Sequence, residues 1–289
     1  MRPRFLPLVL AAACASKGGQ GARGQGGEAA EVVVPEAPAG AAWRTARGVA
    51  WEEMLEDLAT ADVVCLSFFG DLDVEAGSEG VRLVSPADDL YVPVLDYLYK
   101  RGRLHAIALD AFPRTAQAAL DDFSFGRIDE SELAKRVGDL GDGKILSFAR
   151  ERRLPLLALR VEPEIENAVS QGGLEALTEE QRLSLPAVHD TDPKTEPYPL
   201  VPHGPTSIGL MLDVAADVIV RWYRDAAPEG AQVAVIAWSQ PPRSLPERLH
   251  ARNGKSYRTL VALPGAAEAA DPVVFTRSYS DYVWFTGGK

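Results

Sequence analysis

Apolar side chains recur along this chain in two rhythms that take turns. Residues 49–59 place Trp51, Met54, Leu55 and Leu58 at the spacing of one helix face, and residues 63–69 follow as an apolar run, Val63-Val64-Cys65-Leu66-Ser67-Phe68-Phe69. A run of that length without polar alternation predicts a strand covered on both sides. Residues 70–80, rich in Gly, Asp and Glu, read as a loop. Ser85-Pro86-Ala87-Asp88 then combines a capping hydroxyl, a first-turn proline and an acid near the positive end of the helix dipole, so a helix starts here. It runs to about Arg101, is bent at Pro93 and stops at Gly102.

The alternation continues. Residues 104–110 predict a second buried strand, 113–123 and 129–137 two short helices, 145–152 another helix and 155–161 a third strand. The helix over 129–137 has Asp129 as its cap and Glu132 three residues on. Residues 165–171 and 178–183 are helical pieces, and 186–205 form a long proline-rich stretch without period. Loops of this length in compact domains usually carry function or lack order. Residues 208–223 predict the longest helix, with Leu212, Ala216, Ile219 and Tyr223 along one side, and 232–238 and 257–263 two more strands. Strand and helix in alternation call for an α/β fold, a mostly parallel central sheet with helices on both faces. The tail ends in two short β-like runs, Val273-Val274-Phe275 and Tyr282-Val283-Trp284-Phe285, which read as an edge hairpin.

The amino terminus has a different character. Arg2 and Arg4 precede a short apolar run, 5–13, too short for a membrane span and laid out like a secretory signal. It ends in Ala11-Ala12-Ala13-Cys14, which resembles a bacterial lipobox with its leucine displaced to Leu10, so Cys14 is the expected lipidation site. Cleavage without acylation and a cytoplasmic start are the alternatives. Residues 17–41 are Gly/Ala-rich and predict a flexible tether. The organisation expected is therefore a signal over 1–14, a tether over 15–44, an α/β domain over 45–265 and a tail over 266–289, in a protein held at the cell envelope. With Cys14 acylated, Cys65 has no partner for a disulfide and reads as a buried small hydrophobe.

Charge removes whole classes of function. Lys and Arg number 30 against 41 Asp and Glu, a net −11. Nucleic acid is gripped mainly by Lys and Arg neutralising phosphates, so no nucleic-acid partner is expected, and a basic face for an anionic membrane is equally disfavoured. The chain has no Gly-x-Ser-x-Gly elbow and no glycine-rich turn between a strand and a helix, which leaves α/β-hydrolase chemistry and a nucleotide loop unsupported.

One stretch is more specific. Phe112-Pro113-Arg114, Gln117, Leu120-Asp121, Gly126-Arg127-Ile128, Glu130, Glu132-Leu133 and Lys135-Arg136 resemble the block after the second strand of the ChaN-like haem-binding uptake proteins of the Tiki superfamily. The likeness continues through 148–152, 154–159 and 173–186, and more weakly through 233–237 and 246–249, spanning about 45–263. It implies a lipid-anchored or periplasmic α/β protein that binds haem, in some members as a homodimer holding two haems through tyrosine; related members carry out metal-assisted hydrolysis. The departures are at strand ends. Where the superfamily usually has Gly-Glu-x-His, this chain has Ser67, Phe68, Phe69 and Gly70. Where Gly-x-Gly-His is usual it has Trp238, Ser239 and Gln240, and the carboxylate after the second strand is the shorter Asp110.

The candidate chemistry follows. A hydrolytic metal needs about three clustered ligands with a position open for water, and His105, His189, His203 and His250 show no ligand spacing. Asp71, Asp73 and Glu75 directly follow the first long strand, where α/β sheets place crevices, but they lack the full calcium-loop pattern and read as a solvated acidic loop. Asp71 and Asp110 are the crevice candidates; for Asp110 a helix cap or turn is the plain alternative. Haem needs an apolar slot and an axial ligand from His, Cys, Met or Tyr. Tyr198, His189 and His203 fall together in the proline-rich stretch and are the ligand candidates, with simple solvent exposure as the other reading of each. Tyr91, Tyr97 and Tyr99 read as half-buried rim residues. The expectation is a haem-binding envelope protein without catalysis, against a degenerate interaction module or a residual metal-dependent hydrolase.

Overall fold

A computed structural model describes residues 32–45, 47–68, 73–77, 80–84, 88–138, 143–186, 205–238, 243–265, 267, 270, 274 and 279–286, with backbone alone for 73–77, 80–84, 88, 205–207 and 238. Strands β1 (Ala41–Arg44) and β2 (Arg47–Val49) form a short antiparallel pair, α1 (Trp51–Thr60) follows, and β3 (Val63–Phe68) is buried along its whole length. Strands β4 (Asp73–Gly77) and β5 (Gly80–Val84) make a separate antiparallel hairpin where a loop was expected. The two-residue gap and the pairing of Val74 with Leu83 and Ala76 with Val81 give hairpin register to a stretch whose acidic residues suggest a loop. Helix α2 (Asp88–Lys100) leads to β6 (Leu104–Pro113), α3 (Gln117–Ser124), α4 (Glu130–Val137), α5 (Gly143–Arg152) and β7 (Leu156–Arg160). Then come α6 (Pro163–Gly172), α7 (Glu179–Ser184), α8 (Pro205–Asp225), β8 (Gln232–Trp238), α9 (Ser244–Asn253), β9 (Tyr257–Leu263) and β10 (Tyr282–Phe285).

Among the described residues eight strands form one sheet in the order β2-β1-β10-β9-β3-β8-β6-β7, parallel from β10 to β7, with the β1–β2 pair antiparallel at one edge. Side chains alternate across it. Val64, Leu66, Ile107, Leu109, Ala234 and Ile236 meet α1, α2, α3 and α5, while Val63, Cys65, Ala106, Ala108, Val233 and Val235 meet α8 and α9. The helix-clad parallel sheet stands as the hydrophobic pattern implies.

Two boundaries differ from expectation. Strand β10 is an interior strand, parallel to β9 and antiparallel to β1, with all four side chains buried, so the tail is no edge hairpin. β1 lies within the span read as tether. Both errors have one cause: β1 and β10 are too short to show a period, and their apolar residues are buried only because distant strands receive them.

The open edge of β7 is closed by a side chain. Gln117 Nε2 donates to the Leu156 carbonyl at 2.7 Å and its Oε1 accepts from the Ala158 N–H at 2.9 Å, replacing the strand that would otherwise pair there. Asp129 caps α4 as expected, accepting from Glu132 N at 2.8 Å, and Gly102, at φ +67°, follows α2 in the left-handed conformation.

Charges fix the layers. Asp213, fully buried on α8, accepts from Arg248 Nε at 3.2 Å and from Arg252 Nη2, while Arg252 Nη1 donates to the Asp213 carbonyl at 3.0 Å, which joins α9 to α8. Asp57 on α1 takes both arms of Arg258, at 2.9 and 3.0 Å, and the Tyr282 hydroxyl at 2.7 Å, tying a helix to the starts of β9 and β10. Burial raises the Asp57 carboxyl, but the bonds from Arg258 and Tyr282 and the charges of Arg258 and Arg44 outweigh it and hold it below the usual carboxylate range. Burial pushes the Tyr97 phenol up to about 12, aided by its bond to Glu56, and burial likewise raises Tyr223 and Tyr282.

Replacing Asp213 by Ala leaves two guanidinium groups with no carboxylate between α8 and α9, and should cost about 3–5 kcal/mol of unfolding free energy in a denaturant titration. The pH limits follow from the shifts. Asp57 holds its stabilisation above about pH 4 and loses it as pH falls through its lowered folded value; the tyrosines hold theirs below about pH 10 and lose it as pH rises through their raised values. Thermal melts should show a plateau between these limits, and Asp57→Asn should flatten the acid limb and, by removing the charge that helps raise Tyr282, shrink part of the alkaline limb while the share from Tyr97 and Tyr223 stays.

Candidate functional site

All six parallel strands end at one side of the sheet, β3 at Phe68, β6 at Pro113, β7 at Arg160, β8 at Trp238, β9 at Leu263 and β10 at Phe285. Between the neighbours β3 and β8 the chain changes direction: β3 leads through α2 on one face toward β6, and β8 leads through α9 on the other face toward β9. Strand tips at such a switch point diverge and leave a crevice, the usual place for a ligand in open α/β sheets.

Among the described residues, the ends of β3 and β8 and the last residues of β6 before Arg114 carry few ionisable groups. Ser67 is buried and its carbonyl accepts from the hydroxyl of Tyr91, which α2 holds against the sheet. Phe68 is buried next to it, in register with Trp238 on one side and Ala262 on the other. Asp110 carries the only carboxyl in β3, β6, β7 and β8 and is 8% exposed. It caps no helix. From the pair Leu109–Ala158 to the pair Pro113–Arg160, β6 advances four residues while β7 advances two, so Asp110 enters an irregularity of the ladder. Bulges of this kind re-aim side chains and sit next to sites more often than in plain sheet. Phe112, buried within the same irregularity, adds an apolar wall.

Beyond β6 and β7 the rim becomes ionic. Arg114 Nη2 donates to Glu162 Oε2 at 2.6 Å and Nη1 to the Ser184 carbonyl at 3.0 Å, so one guanidinium joins the ends of β6, β7 and α7. Arg160 places Nε and Nη2 at 3.1 and 3.0 Å from buried Glu166 on α6. These pairings span up to 70 positions of sequence and have no local signature, although Arg114 stands in a stretch that drew notice for other reasons.

The sequence candidates divide sharply. Asp110 is at the strand tips. Cys14, Asp71, His189, Tyr198 and His203 lie outside the described residues, as does Ser85 with its cap. His105 begins β6 with Nδ1 facing the Arg103 carbonyl, and His250 faces the Lys255 carbonyl at 2.9 Å near the start of β9, so both sit at the opposite end of the sheet. Tyr91 and Tyr97 are buried within the core rather than half-buried at a rim, because the helix face carrying them packs on the sheet and α1; Tyr99 is the exposed one, set edge-on to Phe148. Cys65 is buried and free, with its thiol pushed up by burial. Among the described residues no three His, Cys, Asp or Glu side chains stand close enough to hold a metal ion. Near the strand tips haem would meet apolar side chains, Phe68 and Phe112 being buried there, while the Tyr91 hydroxyl is bonded back to the Ser67 carbonyl and Tyr279 is buried in the cluster of Leu263 and Phe285.

This architecture is that of an α/β protein with a mostly parallel sheet, helices on both faces and a topological switch point at the strand tips. Residues 87–199 match the sequence profile of the family described as haem-binding uptake, Tiki superfamily, ChaN. Among solved structures, cofacial heme binding to ChaN of Campylobacter jejuni aligns over 85% of this chain and 96% of that one, with a TM-score of 0.50 at 14% identity, a likeness of fold. Two structures described as bacterial protein toxins align over 76% and 82% of the chain but 37% and 41% of their own lengths, with TM-scores of 0.43 and 0.41 at 15% and 14% identity. No curated protein sequence matches significantly. The profile match and the fold fit a divergent ChaN-like member of the Tiki superfamily.

The Arg114–Glu162 bond joins the ends of β6 and β7 with both side chains largely covered. A double-mutant cycle on Arg114→Met and Glu162→Gln should return a coupling of about 1–2 kcal/mol in unfolding free energy, more than an exposed pair supplies. Unfolding titrations of the four proteins provide the check.

Proposed function

We propose that this protein binds haem, or a flat ligand like it, at the carboxyl ends of its parallel strands, as a non-catalytic envelope protein anchored through acylated Cys14. The observation that carries the ligand is the match of residues 87–199 to a haem-binding uptake family, on a fold shared with a protein described by its cofacial heme binding. The profile runs from the start of α2 through the irregular end of β6 and into the proline-rich stretch. In this reading Asp110 and Asp71 line the crevice and the axial ligand comes from Tyr198, His189 or His203. Haem supplies an iron with axial positions to fill, and the chain supplies the apolar walls and the ligand atom. Two copies facing each other through this end is the assembly the reading favours.

Ser67 and Phe68 at the tip of β3 favour a second reading, an interaction module that no longer holds a ligand. A hemin titration of the purified full-length protein decides between them. Haem binding predicts a saturable Soret shift at micromolar protein, weakened about tenfold or more, roughly 1.4 kcal/mol, by one of Tyr198→Phe, His189→Ala and His203→Ala. A protein that leaves the hemin spectrum unchanged has lost the ligand.

A further inference from the structure

Helices α2 and α5 pack on each other, and both end in the same way. In α2 the Gly102 N–H donates to the Tyr99 carbonyl at 2.8 Å and the Arg103 N–H to the Leu98 carbonyl at 3.1 Å; in α5 the Arg153 N–H donates to the Arg150 carbonyl at 3.1 Å and the Leu154 N–H to the Ala149 carbonyl at 2.9 Å. This pair of bonds closes a helix through one left-handed residue, usually glycine. α2 has Gly102 there at φ +67°, whereas α5 has Arg153 at φ +52°, a conformation that costs a residue with a Cβ more than it costs glycine. A cation thus holds a position that the backbone alone would give to glycine. Cations in a last turn offset the helix dipole, which accounts for Lys100, Arg150 and Arg152, but Arg101, Arg103 and Arg153 lie beyond the helix ends.

These six side chains belong to one end of the domain, where β6 and β7 begin. The Ile107 N–H donates to the Pro155 carbonyl at 3.0 Å and the Gln232 N–H to the Arg103 carbonyl at 2.9 Å, so the loops before β6, β7 and β8 meet. Lys100 and Arg152 share Asp96, at 2.6 and 2.8 Å, Arg101 donates to Glu56 at 2.9 Å and Arg152 to Glu151 at 3.2 Å. Arg150 lies over the Phe123 ring at 5.0 Å and, like Arg153, is bonded to no carboxylate among the described residues. Stacking on a ring leaves a guanidinium's N–H groups available to the oxygens of a phosphate. Within residues 97–105 and 150–155 the single acid is Glu151, so the net charge of −11 conceals a basic end.

We infer that this end of the domain, opposite the strand tips, docks on the phosphates of an anionic phospholipid surface. Six cations spread over two helix ends and the loops that follow them suit a plane of phosphates better than a single anion, and exposed Tyr99 beside Arg152 is an aromatic of the amphipathic kind found among headgroups. The acidic remainder of the chain is repelled by the same surface, which leaves this end as the one to approach it. The contact depends neither on haem nor on acylation of Cys14.

The test uses the full chain with Cys14→Ser, so that no acyl chain contributes, in sedimentation with vesicles of phosphatidylcholine alone or mixed with an equal share of phosphatidylglycerol. Binding should require phosphatidylglycerol and fade as salt rises from about 0.05 to about 0.5 M. Arg2 and Arg4 stay in every protein compared, so differences between variants read the basic end. Arg150→Gln and Arg153→Gly should each lower the partition constant about fivefold, whereas Arg47→Gln, on β2 at the far edge of the sheet, should leave it in place. Arg153→Gly gives the cap the residue its motif favours, so the melting temperature should not fall and lost binding does not reflect lost fold. Binding that ignores phosphatidylglycerol, or that Arg150→Gln and Arg153→Gly leave unchanged, overturns the inference. So does stronger binding to polyglutamate than to the vesicles at equal anionic charge, which assigns this end to an acidic polypeptide.

Discussion

Strand β3 has six residues and no exposed side chain, so each of its backbone N–H and C=O groups must find a partner in a place water does not reach. The partners are supplied by β8 and β9, strands that lie some 170 to 195 positions farther along the chain. Parallel pairing at that separation requires crossovers, and their helices cover both faces of the sheet. Leu66 on one face and Cys65 on the other are buried by different helices for this reason. The crevice exists because the crossovers on either side of the β3–β8 pair depart over opposite faces.

The polar groups that survive in this interior are those with a geometric task. Gln117 completes the edge of β7 in place of a ninth strand, Asp57 binds α1 to the starts of β9 and β10, and Asp213 binds α9 to α8. Each makes directional bonds to its partners, as a buried carboxylate or amide must, Asp213 taking both arginines on one carboxylate oxygen. The strand tips differ, since Ser67, Phe68 and Phe112 present little charge there and Asp110 alone brings a carboxyl from the four strands around the switch point.

Gly40 and the indoles of Trp51 and Trp284 hold residues 35–40 against α1 and the last strand, a close approach that only glycine at position 40 allows.

Where burial follows a local period, the amino-acid order alone was sufficient: the runs at 63–68, 104–110, 156–160 and 232–238, the faces of α1 and α8, and the cap at Asp129 are legible because neighbours in sequence share the same surroundings. The charge balance and the block from Phe112 to Arg136 were equally readable, and that block lies within the residues matching the ChaN profile. Tertiary structure decided what depends on residues far apart. It made β10 an interior strand, turned an acidic stretch into the β4–β5 hairpin, buried Tyr91 and Tyr97, placed Asp110 in a ladder irregularity, and joined Arg114 to Glu162 and Asp213 to Arg248 and Arg252. None of these has a period or a spacing to betray it, because a contact between distant positions costs chain entropy that only the completed sheet and its helices offset.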